Sequence, residues 1–200
     1  MKTRLNSLLC CLLLFVSAAG CDKPPVETSN AEPEWVRRAN RLYPEARRVV
    51  CDWWGKPVEL QLVPVASLSY GVAKRDSGKL LITAAAAETD VECFDTLTHE
   101  LLHEAFNAQT TWSGDCDVRV IRVQAAVNEA LAWRFAAELT ADYYGLPVAY
   151  RWEFVPACMF SRELIVSLVQ DRPEAMLAIA QDYATAKAFV DGVSRVAKAP

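Results

Sequence analysis

From Glu34 to Trp54, apolar residues recur at near-helical spacing: Trp35, Ala39, Leu42, Ala46 and Val49 or Val50. This predicts a helix that Pro44 kinks or splits and that Gly55 and Pro57 end. The period then changes. Val58–Ala66 alternates apolar and polar residues as a half-buried strand does, with Pro64 marking an edge or a bulge. Lys74–Gly78 reads as a turn and Lys79–Thr83 as a second short strand, so a hairpin is expected there. Helical spacing returns after Thr89-Asp90-Val91-Glu92, which fits a capping box. The helix it opens should run to about Asn107, burying Phe94, Leu97, Leu101, Leu102 and Ala105. A second long helix should start within Cys116–Arg122 and end at Tyr144, stopped by Gly145 and Pro147. Met159–Gln170 and Pro173–Lys198 read as two closing helices. The expected fold is α+β and mostly α, with a small antiparallel hairpin or sheet ahead of the first of these two long helices.

The N-terminal pattern is of another kind. Lys2 and Arg4 precede an apolar run, Leu8–Val16, and then small residues up to Cys21. This reads as an export signal over residues 1–20, too short in its apolar part to span a bilayer. Ala18-Ala19-Gly20-Cys21 resembles a bacterial lipobox, in which the cysteine is lipidated and becomes the new N-terminus. Ordinary cleavage near Ala19 is the alternative. Residues 21–33 are polar and proline-containing, a flexible tether, and 34–200 form a single domain. The expected location is therefore a bacterial membrane surface, anchored through Cys21 and facing the periplasm or the cell exterior. Without Lys2 and Arg4 the chain has 19 basic and 25 acidic side chains and no basic patch, which argues against nucleic acid.

Seven cysteines fall to four once the signal and Cys21 are set aside: Cys51, Cys93, Cys116 and Cys158. An even count in an exported chain predicts two disulfides. The pairing favoured is Cys51–Cys93 with Cys116–Cys158, because Cys93 is separated from Cys116 by the long helix.

The chemistry concentrates in Thr98-His99-Glu100-Leu101-Leu102-His103-Glu104, which holds both histidines of the chain. Four residues apart on a helix, the two imidazoles share one face. They can bind one metal ion together, and zinc suits a His/His/carboxylate set. Glu100 can take a proton from water activated there. No third histidine exists, so the third ligand must be an acid. Around Glu129, helical spacing places Ala125, Ala126, Ala132, Trp133 and Ala136, a mostly small-residue stripe where an unpaired carboxylate is costly. Asp142 is the alternative. Asp95 either orients an imidazole or favours the helix N-terminus.

These residues carry a resemblance. His99-Glu100-Leu101-Leu102-His103 with Asn128-Glu129 on a later helix resembles the gluzincin group of zinc metallopeptidases. The resemblance implies a zincin-like fold, one zinc ion held by His99, His103 and Glu129, Glu100 as general base, and a peptide or protein substrate. The Asn-Glu pair is similar to the second motif of thermolysin-like enzymes. Those enzymes continue with Ser-Asp where this chain has Ala132 and Trp133, and their aspartate steadies a zinc-binding histidine. Asp95, Asp115 and Asp142 are candidates to replace it. A rival resemblance is that of Thr140-Ala141-Asp142-Tyr143-Tyr144-Gly145 to the second motif of aspzincins, which implies Asp142 as ligand. A tyrosine or arginine must steady the oxyanion unless zinc acts alone, and Tyr143, Tyr144 and Tyr150 are the candidates. In similar peptidases an edge strand pairs with the substrate backbone, a role open to Lys79–Thr83. The competing expectation is a non-catalytic envelope lipoprotein that keeps the fold as a zinc-binding or protein-interaction module.

Overall fold

Three helix-terminus signals in the sequence, Gly55, Thr89 and Gly145, are matched by local geometry, and they help set the lengths of the elements around the histidines. A computed structural model describes residues 32–69, 71–107 and 116–196. The signal segment, Cys21, nearly all of the tether and Asp115 lie outside the described residues. The described residues belong to one compact unit, Glu32–Pro200. The order is α1 (Glu34–Trp54), β1 (Gln61–Pro64), β2 (Ala73–Asp76), β3 (Lys79–Ile82), α2 (Asp90–Asn107), α3 (Val118–Tyr144), α4 (Arg162–Asp171), α5 (Pro173–Gln181) and α6 (Tyr183–Val196). The class is α+β and mostly helical, as the pattern predicts. Among the described residues no helix is long and apolar enough to cross a membrane.

α1 buries Ala39, Leu42, Ala46 and Val50 and ends in left-handed Gly55, whose N–H bonds Cys51 O. Pro44 does not split it. Pro44 and Asn40 both lie on the exposed face, so the carbonyl that loses its helical donor can turn to water. α1 runs parallel to α2. At one end Arg38 and Arg41 bind Asp90 of α2, and at the other Trp53 and Trp54 pack against Phe106.

The sheet corrects the expected hairpin. The strand order is β1-β3-β2, with β1 parallel and β2 antiparallel to β3. The hairpin joins β2 to β3 through Ser77 and Gly78, at φ 50 and 78. Two positive φ values in a two-residue loop match the right-handed twist of the strands. Most of the stretch read as a turn, Lys74–Asp76, is therefore strand. Lys79–Ile82, read as a possible edge, is central, with Leu80 and Ile82 fully buried. The free edge next to α2 belongs to β2.

α2 starts as the capping box requires: Thr89 Oγ1 accepts from Glu92 N–H at 3.2 Å and lies 3.0 Å from Glu92 Oε2. Phe94, Leu97, Leu101, Leu102 and Ala105 are buried as predicted. α3 is capped by Asp117, whose side chain accepts from Arg119 N–H, and ends in left-handed Gly145. It is buried on several faces, with α2, α4, α5 and α6 around it. Buried Gln124 donates to Ile179 O on α5, and Arg134 donates to Val169 O on α4. The last predicted helix is two, because Asp182 interrupts it. Its side chain accepts from Thr185 N–H at 2.6 Å and caps α6.

Neither expected disulfide is present: Cys51, Cys93 and Cys158 are thiols. The parallel packing of α1 on α2 explains the first. Cys93 sits at the end marked by Arg38, Arg41 and Asp90, and Cys51 some ten to thirteen residues further along α1, roughly 15–20 Å away at helical rise. A disulfide needs Cα atoms within about 7 Å. Burial instead pushes the Cys93 thiol up to about 11. The Cys158 thiol is taken up in a local turn with the Phe160 backbone.

Phe106 closes the α1–α2 contact against Trp53, Trp54 and Phe135 and is fully buried. Phe106→Ala is expected to lower stability by about 3–5 kcal/mol, read from the midpoint of urea unfolding.

Candidate metal centre

α2 and α3 lie antiparallel. Phe94 stacks on Tyr143, Asp95 meets Thr140, His99 meets Trp133 and Glu129, and His103 meets Asn128. This register brings His99, Glu100, His103, Asn128 and Glu129 together from 31 residues of sequence.

His99 Nε2 is 3.2 Å from Glu129 Oε1, His103 Nε2 is 3.2 Å from Glu129 Oε2, and the two Nε2 atoms are 2.9 Å apart. One atom from each side chain lies within 4.8 Å of the others. Ligands of a tetrahedral zinc stand about 3.3 Å apart when each bond is about 2.0–2.1 Å. Each of the three separations, the two to Glu129 reaching different carboxylate oxygens, is thus close to that between neighbouring ligands of one ion. Two imidazole nitrogens and a carboxylate are also a donor set that zinc takes. The residues fit the ion.

The electrostatics follow from two imidazoles sharing one carboxylate inside the fold. His99 is 4% exposed, and burial, reinforced by His103, lowers its pKa to about 4. Burial also works against charge on His103, but the hydrogen bond and charge of Glu129, with Glu100 behind them, outweigh it and raise the pKa. Two rings so close do not both become cationic, so they divide in this way. Burial works to raise Glu129, yet both imidazoles outweigh it and hold the carboxylate far below its usual range. Glu100 is pushed up, mainly by burial and also by the Glu129 charge.

Asn128 is the orienting residue that the sequence reading missed. Its Oδ1 meets His103 Nδ1 and points Nε2 at Glu129. Its place directly before Glu129 was the available signal. Asp95 does not orient an imidazole: Thr140 donates to it at 3.2 Å, and Arg151 lies 3.6 Å away. His99 Nδ1 is buried with no partner, and the Trp133 ring lies 4.0 Å from the imidazole. The missing aspartate of the thermolysin-like pattern therefore leaves a visible gap at His99.

Asp142 is not in the cluster. It is exposed near the end of α3, thirteen residues or about 20 Å from Glu129 along the helix. The tyrosines do not reach the site either. Tyr143 stacks on Phe94, Tyr144 donates to Asp90 O, and Tyr150 donates to Glu138 and stacks on Trp152. The neighbour of Tyr150 does: Arg151 lines a cleft of about 430 Å³ with His99, Glu100, Glu129, Trp133 and Phe154. Gly71, Val72 and Ala73 form its opposite lip, from β2 and the turn before it.

Comparison with models of protein families, with curated proteins and with solved structures finds no match. The functional reading therefore stands on the site itself.

Glu129→Ala is expected to remove most of the bound zinc, while Asp142→Ala leaves zinc content unchanged, as measured on purified protein. Asn128→Ala is expected to weaken zinc about 10–100-fold in competition with a chromogenic chelator.

Proposed function

We propose that this protein is a zinc-dependent peptidase, with His99, His103 and Glu129 as metal ligands and Glu100 as general base. One observation carries the reading: both imidazole nitrogens and both Glu129 oxygens converge beside a cleft that Glu100 also lines. Zinc held there would supply a Lewis acid that acidifies water and polarises a carbonyl.

The chain's own groups do the rest. Glu100 accepts a proton from the attacking water and returns it to the departing amine nitrogen. Its raised pKa moves it toward the range in which one carboxyl can do both. Glu129 and Asn128 fix the imidazole of His103, and the packing of Trp133 fixes that of His99. The β2 edge offers a place for an extended peptide. Val72 O bonds Thr83 N, so by the alternation of antiparallel pairing the N–H and C=O of Ala73 point away from β3. A substrate strand can pair with them. Arg75, further along the same edge, ties it to α2 through Glu104 at 2.6 Å.

The succession of small sheet, metal helix and antiparallel second helix supports a zincin-like fold and the gluzincin assignment. Together with the export signal and Cys21, this reading makes the protein a lipid-anchored hydrolase of the bacterial cell envelope. A non-catalytic metal-binding lipoprotein is the second reading, and the partnerless His99 Nδ1 favours it.

Glu100→Gln separates the two. It is expected to retain zinc and to cut peptides about 10²–10⁴-fold more slowly in a fluorogenic assay. A wild-type protein that holds zinc but cleaves nothing in a broad peptide library would decide for the second reading.

A further inference from the structure

One charged side chain in the cleft has no part in proton transfer or metal binding. Arg151 is the one arginine or lysine among the described residues that line it. Its side chain is 39% exposed, and its only ion pair among the described residues is long, 3.6 Å from Nε to Asp95 Oδ2. Asp95 is itself buried and engaged by Thr140. This contact orients the arginine from behind and leaves its two terminal nitrogens without a hydrogen bond to any other described residue. Arg75 and Arg134 differ: a terminal nitrogen of each is bound, at 2.6 Å to Glu104 and at 2.5 Å to Val169 O.

Position makes the open fork useful. The guanidinium carbon lies 5.8 Å from the centroid of Trp133, whose ring lies 4.0 Å from that of His99. Trp133 therefore adjoins both the cation and the imidazole cluster. Phe154 extends the aromatic wall, 5.3 Å from Trp133. The segment is anchored on both sides. Tyr150 donates to Glu138 at 3.1 Å, and Val155 is fully buried, with its carbonyl held by Arg162. A planar fork on a fixed segment beside an apolar wall suits bidentate recognition of a carboxylate, which is stronger where water is partly excluded.

We infer that Arg151 binds a carboxylate of the substrate, so that the cleft selects peptides carrying negative charge close to the bond that is cut. This rests on the peptidase reading of the same cleft. The carboxylate is either the peptide C-terminus or an acidic side chain.

The test measures peptide binding by calorimetry to the full chain carrying Glu100→Gln, alone and combined with Arg151→Gln or Arg151→Lys. Three N-acetylated peptides are used: one with a free C-terminus, its C-terminal amide, and the amide with one glutamine replaced by glutamate. Cleavage of the same peptides by the chain with Glu100 intact is read in parallel. A carboxylate-bearing peptide is expected to bind about tenfold tighter than the plain amide. Arg151→Gln should shrink that preference to within twofold. Arg151→Lys keeps the charge but not the fork and should keep a weaker preference, so the result does not hang on the neutral variant folding. The peptide that gains affinity identifies the source of the carboxylate. Equal binding of all three peptides, or a preference that survives Arg151→Gln, overturns the inference. Cleavage without a carboxylate preference overturns it and leaves the peptidase reading standing. An Arg151-dependent preference without cleavage does the reverse, and absence of both overturns both.

Discussion

The site depends on the contact between α2 and α3. α3 carries buried alanines at 126, 130, 132, 136, 137 and 141, and small side chains let helices pack closely. A glutamate side chain is short, and only an intimate contact allows it to reach two imidazoles on the neighbouring helix. The outer parts of the fold hold this contact in place. α1 runs along α2 and fixes both its ends, at Asp90 and at Phe106. α4 and α5 are tied to α3 by polar side chains that reach their last carbonyls, from Arg134 and Gln124.

That contact sets an electrostatic problem that a bound cation would solve. Glu129 is only about a quarter exposed, and among the described residues it pairs with imidazoles and with no arginine or lysine. The imidazoles in turn stand too close together for both to be protonated. A divalent cation would satisfy all three at once: it would take lone pairs that otherwise face one another and offset the carboxylate charge. The same burial that makes the cluster costly when empty of positive charge keeps Glu100 easier to protonate than an exposed glutamate.

The helices and the three residues that cluster, His99, His103 and Glu129, were legible in the sequence because each rests on local spacing. Thr89 and Glu92 are three residues apart, His99 and His103 one helical turn, and Glu129 sits among its own alanines. The parts that were not legible depend on partners distant in sequence. Nothing within Lys79–Ile82 says that β1 lies parallel on one side and β2 antiparallel on the other. Nothing near Cys51 says that α1 runs parallel to α2 and so carries it away from Cys93. Tyr150 and Arg151 are adjacent in a loop without a period, so sequence could not say which of them faces the cleft. Asp95 has the right spacing to serve the histidines, but Thr140 and Arg151 engage it instead.

Trp133 joins the departure from the thermolysin-like pattern to the character of the cleft. An aspartate at that position would give His99 Nδ1 an acceptor. The indole offers no acceptor, so His99 is oriented by packing against the tilted ring and its Nδ1 gains no basicity from a neighbouring carboxylate. The same ring also lies under Arg151. A carboxylate there would compete for the guanidinium and close its open fork. With tryptophan, the guanidinium rests on an aromatic face and its terminal nitrogens stay available to a ligand. The residue that weakens the outer support of one histidine thus leaves the cleft its one uncommitted positive charge among the described residues. The setting of His99 and the setting of Arg151 are thus coupled through a single side chain.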